Sequence, residues 1–291
     1  MSSLRHRSGW ALAVLATLLA AGSVWHWHGA RGARDASAGA VTIVGGDGGG
    51  LPRTDANQEG FEVPALQAAG ALATAQGSSA LLVMRHGHLV YERYADGAGV
   101  DTLVDGGELA DTLLMLAAGI AVAENGLAMP AAAPADNGRL AAAIAGASGR
   151  SYPQFLSRNL WQPLNAAPAQ WSSPTVRARA SDWLRVAELL LHDGRFEGTQ
   201  VVPAGWVQRL VQSRAADGAE PFAAAGMYCL RGSGATRLWL APRFDLAVLR
   251  VAPAPPGVAV DETRLVNMIL RALRDRPVTG GGSLDDLVPG H

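Results

Sequence analysis

Apolar positions along the chain follow two different periods, and the switches between them outline the elements. Ser79 to Tyr94 carries Leu, Val, Met and Tyr on both sides of His86-Gly87, which predicts two strands around a tight turn. Thr112 to Glu124 is an apolar helix closed by Gly126. Ser181 to His192 places Trp183, Leu184, Val186, Ala187, Leu190 and Leu191 at helical spacing and stops at Asp193-Gly194. Helices are also predicted over Val63–Gln76, Leu140–Ala147, Tyr152–Leu160, Pro203–Gln212 and Asp261–Arg274, the fourth of them with proline in its first turn. Met227–Leu230, Thr236–Leu240 and Leu246–Val251 read as strands between glycine or proline turns, and Leu103–Val104 as a short extended piece. Two strands, a block of helices, three strands and a closing helix make an α+β plan, an antiparallel sheet flanked by helices.

The ends differ from this body. Arg5, His6 and Arg7 precede an uncharged run from Gly9 to Trp25, bordered by Trp10 on one side and Trp25 and Trp27 on the other. A basic flank before an apolar segment is the pattern of a signal peptide or a signal-anchor, and the tryptophans match an interfacial belt. Residues 1–28 are therefore expected to hold the chain to a membrane through a transmembrane helix, or to be cleaved on export. The body would then face the periplasm, anchored at the inner membrane or free within the cell envelope. Residues 29–60, with Gly45-Gly46-Asp47-Gly48-Gly49-Gly50, read as a flexible linker, 61–276 as the folded domain and 277–291 as a disordered tail.

Composition narrows the function. A net charge of -1 in 291 residues gives no electrostatic case for nucleic acid. The single cysteine, Cys229, excludes an internal disulfide. All 24 residues of the Lys+Arg total are arginine, so phosphate-loop chemistry that needs a lysine is absent.

Several segments, in order, resemble the serine β-lactamase-like hydrolases and penicillin-binding proteins, of the class C and esterase type. "SSALLVMRHGHLVYERY" resembles the opening hairpin, and "DTLVDGGELADTLLMLAAGIAVAENG" the segment leading into the nucleophile helix. "SGRSYPQFLSRNLWQPLNA" resembles the helix before the central turn. "ASDWLRVAELLLHDGRFEGTQVVPAGWV" and "RLWLAPRFDLAVLRV" resemble the later helices and final strands. The resemblance implies a β-lactamase/transpeptidase-like fold, with a helical lobe shortened between the nucleophile helix and the next.

It also implies three chemical elements, and this chain departs from each. In the family a serine opens the long helix and a lysine follows one turn on, where it activates the hydroxyl. Alignment on "AAGIAVAENG" sets Glu108 at the serine position and Asp111 at the lysine position. The tyrosine–asparagine element matches "PAAAPADNGR", which keeps Asn137 without a tyrosine. The basic residue of the pocket strand matches Arg231-Gly232-Ser233-Gly234-Ala235-Thr236, where Arg231 or Arg237 would have to bind an anion. Arginine cannot serve as the base, because it stays protonated.

The expectation is a serine hydrolase-family protein that has lost its catalytic pair, a binding or regulatory pseudoenzyme with an envelope protein, a peptide or a peptidoglycan segment as ligand. Candidate binding residues are Asn137, Arg231, Ser233, Gly234 and Thr236. The alternative is an active hydrolase of β-lactamase, esterase or amidase type with relocated residues, Glu108 and Asp111 forming an acid/base pair or, with Asp105, a metal site. No Ca²⁺-loop pattern accompanies these carboxylates, so neither metal nor cofactor is expected. Ser181-Asp182 reads as a helix cap and His192 as unpaired with it; Trp161, Trp171, Trp183, Trp206 and Trp239 read as packing residues.

Overall fold

The computed structural model describes residues 39–128, 137–215, 226–253 and 261–274. Contacts divide the chain into two units, Met1–Val41 and Thr42–His291, and the architecture is that of the second. In chain order it runs β1 (Val41–Ile43), α1 (Val63–Ala75), β2 (Ala80–Arg85), β3 (His88–Tyr94), β4 (Leu103–Asp105), α2 (Leu109–Asn125), α3 (Asn137–Ser148) and α4 (Tyr152–Leu156), which widens into a π turn over Ser157–Trp161. Then follow β5 (Ala169–Ser172), β6 (Thr175–Arg179), α5 (Ala180–Leu191), β7 (Arg195–Phe196), β8 (Thr199–Gln200), α6 (Trp206–Ala215), β9 (Tyr228–Arg231), β10 (Arg237–Ala241), β11 (Leu246–Val251) and α7 (Glu262–Arg271).

The main sheet is antiparallel, in the order β3-β2-β11-β10-β9. Its central strands are almost wholly apolar because both faces are covered, with Arg85, Arg237 and Arg250 at or near their ends. Leu82, Met84, Leu238, Leu240, Ala247 and Leu249 point into one core, shared with α2 and α5. Leu81, Val83, Trp239, Leu246 and Val248 point into a second, shared with α1 and α7. Period-two alternation thus separates two cores rather than core from water, so these strands read as continuous hydrophobic runs. The terminal helix docks by Leu265, Val266, Ile269 and Leu270, and Asp261 caps it by accepting from the Arg264 amide at 2.8 Å.

A second sheet, in the order β1-β5-β6-β4, was not legible in the sequence. Its strands are short, and Gln170-Trp171-Ser172 and Thr175-Val176-Arg177 carry few apolar residues. The helical lobe is short, as expected: residues 126–136 alone separate α2 from α3.

Two expectations about the ends are corrected. Among the described residues no helix is long and apolar enough to cross a membrane. The apolar helix α2 carries Asp111 and Glu124 and is buried in the domain core. The transmembrane and signal-anchor reading is thereby set aside; the Gly9–Trp25 segment it rested on lies outside the described residues, as does 277–291. Nor is the stretch from Thr42 to Gly60 a flexible linker. Ile43 and Leu51 are buried, and the glycine run docks on the loop after the π turn. There Gly46 donates to the Ala166 carbonyl at 2.9 Å and Asp47 to Asn165 Oδ1 at 2.8 Å. A side chain on Gly45 would lie 2.1 Å from the Ala166 oxygen, so the glycine is there for close approach.

Asp182 also differs from the reading as a cap, since Arg179 holds that position. Asp182 is buried in the first turn of α5, accepting from the Ala167 amide at 3.2 Å and from Arg185 Nη1 at 2.9 Å. Arg185 is buried with it and reaches the Gly49 carbonyl by Nη2. Burial holds the Asp182 carboxyl above its ordinary range, against the pull of the Ala167 N–H and Arg185. Arg185→Leu would strand this carboxylate without its partner. We expect it to lower stability by about 3–5 kcal/mol, read as a shift of the urea unfolding midpoint.

Candidate functional site

The N-terminus of α2 is built by two glycines and one carboxylate. Asp105, at the end of β4, accepts from the Gly107 amide at 3.0 Å and from Thr175 Oγ1 at 2.5 Å. Gly106 donates to the Val176 carbonyl at 2.8 Å, and a Cβ there would lie 2.6 Å from the Trp183 ring. Gly107 has φ +50°, and a Cβ on it would lie 2.5 Å from Ser233 N and 2.8 Å from Gly232 C. The start of the helix therefore rests backbone against backbone on the β9–β10 turn. Glu108 follows at the cap position with φ -66° and ψ -15°; its side chain is exposed and makes no capping hydrogen bond.

One turn on, Asp111 is half-buried and accepts from Asn137 Nδ2 at 2.6 Å. Asn137 opens α3, so this bond joins the two helices at their N-terminal ends. Asp111 and Asn137 line a cleft of only 20 Å³ with Leu114, Tyr152, Trp171, Ser173 and Pro174. That is room for about one water. Glu108 does not line it.

Tyr152 is the site residue that the sequence did not reveal. The tyrosine–asparagine spacing pointed upstream, to 130–139, of which 130–136 lie outside the described residues. The fold instead brings a buried tyrosine in from α4, edge-on to Trp171 with ring centroids 6.1 Å apart. Burial, and then the negative charge of Asp111, push its phenol far above the ordinary range, so it stays protonated. In sequence Tyr152 is only the first residue of a helix whose Gln154 accepts from the Ser151 amide at 3.1 Å. No local spacing ties it to Asp111.

The third element is partly assembled. Ser233 lies at the helix start through its contact with Gly107, and Gly234 takes φ +64° in the turn. Arg231 is exposed at the end of β9. Thr236 is not a surface binding group: it is buried, with Oγ1 3.4 Å from the Ala252 carbonyl. Arg237 is held by Glu262 of α7 at 3.1 Å, which takes it from the site.

Other constellations resolve plainly. His192 pairs with Asp245 at 3.1 Å, not with Asp182, so no histidine–aspartate–serine arrangement forms on α5. Among the described residues no group of three His, Cys, Asp or Glu side chains can hold a metal ion, which removes the Asp105–Glu108–Asp111 metal reading. Cys229 is buried, as a strand cysteine should be.

Comparison with solved structures gives the fold its relatives. A Bacillus anthracis protein provisionally named as a 6-aminohexanoate-dimer hydrolase superposes with a TM-score of 0.61 at 16% identity, over 80% of this chain and 89% of that one. The fold is that of the serine β-lactamases and transpeptidases. A Bacteroides dorei protein provisionally named as a β-lactamase gives a TM-score of 0.57 at 10% identity, over 73% of this chain and 99% of that one. No family model matches the sequence, and no curated protein does. The β-lactamase-like chain thus keeps the architecture at identities where only architecture is shared.

Because Gly107 meets Ser233 at backbone distance, Gly107→Ala adds both a clash and a strained positive φ. It is expected to cost about 1–3 kcal/mol, seen as a lower thermal midpoint with the fold retained by circular dichroism.

Proposed function

We propose that this β-lactamase-like protein is non-hydrolytic and works by binding, as a regulatory or scaffold member of a hydrolase fold. The observation that carries the reading is the state of the helix start: Glu108, which the resemblance sets at the serine position, is exposed, and Asp111, which it sets at the lysine position, is tied to Asn137 at 2.6 Å in a 20 Å³ cleft. Serine chemistry needs a hydroxyl beside a group that takes its proton. Here the residue one turn after Glu108 is an acid whose lone pairs already engage an amide. A carboxylate attacking an ester or amide would form an anhydride, a less stable acyl group than the bond it replaced. A cleft that admits about one water does not admit a lactam or a peptide bond. A peptide or glycan ligand would therefore be met on the open surface around the helix start and the β9–β10 turn.

The competing reading, a hydrolase with relocated carboxylate chemistry, requires Glu108 and Asp111 to share a pocket so that their pKa values separate. The cleft takes Asp111 without Glu108, which weighs against it. The deciding measurement is intact mass after incubation of the folded protein with a fluorophosphonate and with a labelled penicillin. We expect no covalent adduct with either. A stoichiometric adduct, mapped to one serine by peptide analysis, would overturn the proposal and name the nucleophile.

A further inference from the structure

A groove of 530 Å³ opens beside the small sheet and shares no lining residue with the cleft at Asp111. One wall is Thr42 of β1 and Val44 just beyond it, both exposed, with Ile43 between them buried in the core. Strand alternation sends that pair to the same side. The opposite wall is Gln154 of α4 with Ser157, Arg158 and Gln162 of the π turn and its end. The Gln162 amide donates to the Ser157 carbonyl at 2.9 Å, the five-residue step that defines such a turn. Single π turns are rare and gather at functional sites.

One buried side chain joins the walls. Ser157 Oγ accepts from the Val44 amide at 2.8 Å and donates to the Pro153 carbonyl at 2.7 Å. The spacing of the walls is thereby fixed before a ligand arrives, which lowers the ordering cost of binding. The same bond occupies the Val44 amide, so that amide cannot pair with an added strand. Recognition falls to side chains rather than to the strand edge.

Those side chains select a chemistry. Arg158 is exposed, and no described residue gives its guanidinium an ion pair or a hydrogen bond. Gln154 Oε1 accepts from the Ser151 amide at 3.1 Å, which sets the carboxamide and leaves Nε2 to donate. Gln162 and Thr42, both exposed, add a second carboxamide and a hydroxyl. No carboxylate lines the groove. A guanidinium takes a carboxylate as a two-pronged pair. Carboxamides both donate and accept, as the hydroxyls of a sugar do. A single cation suits one carboxylate better than a doubly charged phosphate. The volume falls within the range of clefts that take small ligands, roughly 300–1,000 Å³.

We propose that this groove binds a sugar acid, a short glycan bearing one carboxylate, with Arg158 on the carboxylate and Gln154, Gln162 and Thr42 on the hydroxyls. The site is separate from the start of α2 and stands whether or not the chain hydrolyses a substrate there.

The test is ligand-observed NMR on the full chain. The probes are glucuronate and glucuronosyl-glucose, their methyl esters as neutral counterparts, and triglutamate as an acidic peptide. At least one acid is expected to bind, and its ester about tenfold more weakly, as the loss of a hydrogen bond between charged groups predicts. Arg158→Gln should lower the affinity for the acid by about tenfold and bring it level with the ester. Gln162→Ala should weaken acid and ester alike. Arg93→Gln removes an exposed charge from β3 and should change neither. Arg158 and Gln162 are exposed, so these variants should keep the fold, which circular dichroism checks. Absence of binding by both acids, equal binding of acid and ester, an Arg158→Gln variant that binds as before, or a preference for triglutamate would overturn the proposal.

Discussion

The arrangement turns on the contact of Gly107 with the Gly232-Ser233 backbone. It joins the small sheet, through β4, to the edge of the large one, through the β9–β10 turn, and it sets where α2 begins. Neither side has volume to spare: Gly106 is pressed by Trp183 and Gly232 by Thr236. A helix start fixed this tightly does not need its side chains for placement. Glu108 and Asp111 therefore stand at a helix start whose position is set by backbone contacts rather than by their own side chains.

Stability and chemistry are thereby separable in this chain. Tyr152, Trp171 and Asn137 close around Asp111 as a small polar knot on the flank of the first core. Its members come from α2, α3, α4 and β5, so the knot ties the shortened helical lobe together. A buried polar group needs its partner more than it needs a substrate. The Asp111–Asn137 bond meets that need inside the lobe, and the space left is the size of a water.

What the sequence revealed follows from where the information is local. β2 and β11 were legible because strands buried on both faces are almost wholly apolar, β3 because it follows β2 across the His86-Gly87 turn, and α5 because its apolar residues recur at the helical period. β5 and β6 were not, since their order comes from pairing across the sheet and their composition is that of a loop. The apolar run placed α2 from Thr112, while the family spacing put Glu108 and Asp111 in its first turn; the helix runs from Leu109 with Glu108 as its cap. Family spacing pointed to Glu108, Asp111, Asn137 and Ser233 as candidates, of which the fold brings Asp111 and Asn137 together, while Tyr152 enters from a distant helix and leaves no mark near Asp111. The ion pair of Asp182 and Arg185 was likewise hidden: an acid beside a serine at a helix start resembles a cap until burial is known.

The glycine run from Gly45 to Gly50 has an energetic character unlike the rest of the domain. Glycine gives up more backbone freedom on ordering than any other residue and returns no side-chain area. Its adherence rests on a handful of polar contacts, to Ala166, Asn165 and Arg185. Such an edge is held by enthalpy against entropy, with little hydrophobic burial to sharpen its cooperativity. On warming it belongs to the part of the molecule that loosens ahead of the cores. Its release would uncover Asp182 and Arg185 to water while both sheets are still whole.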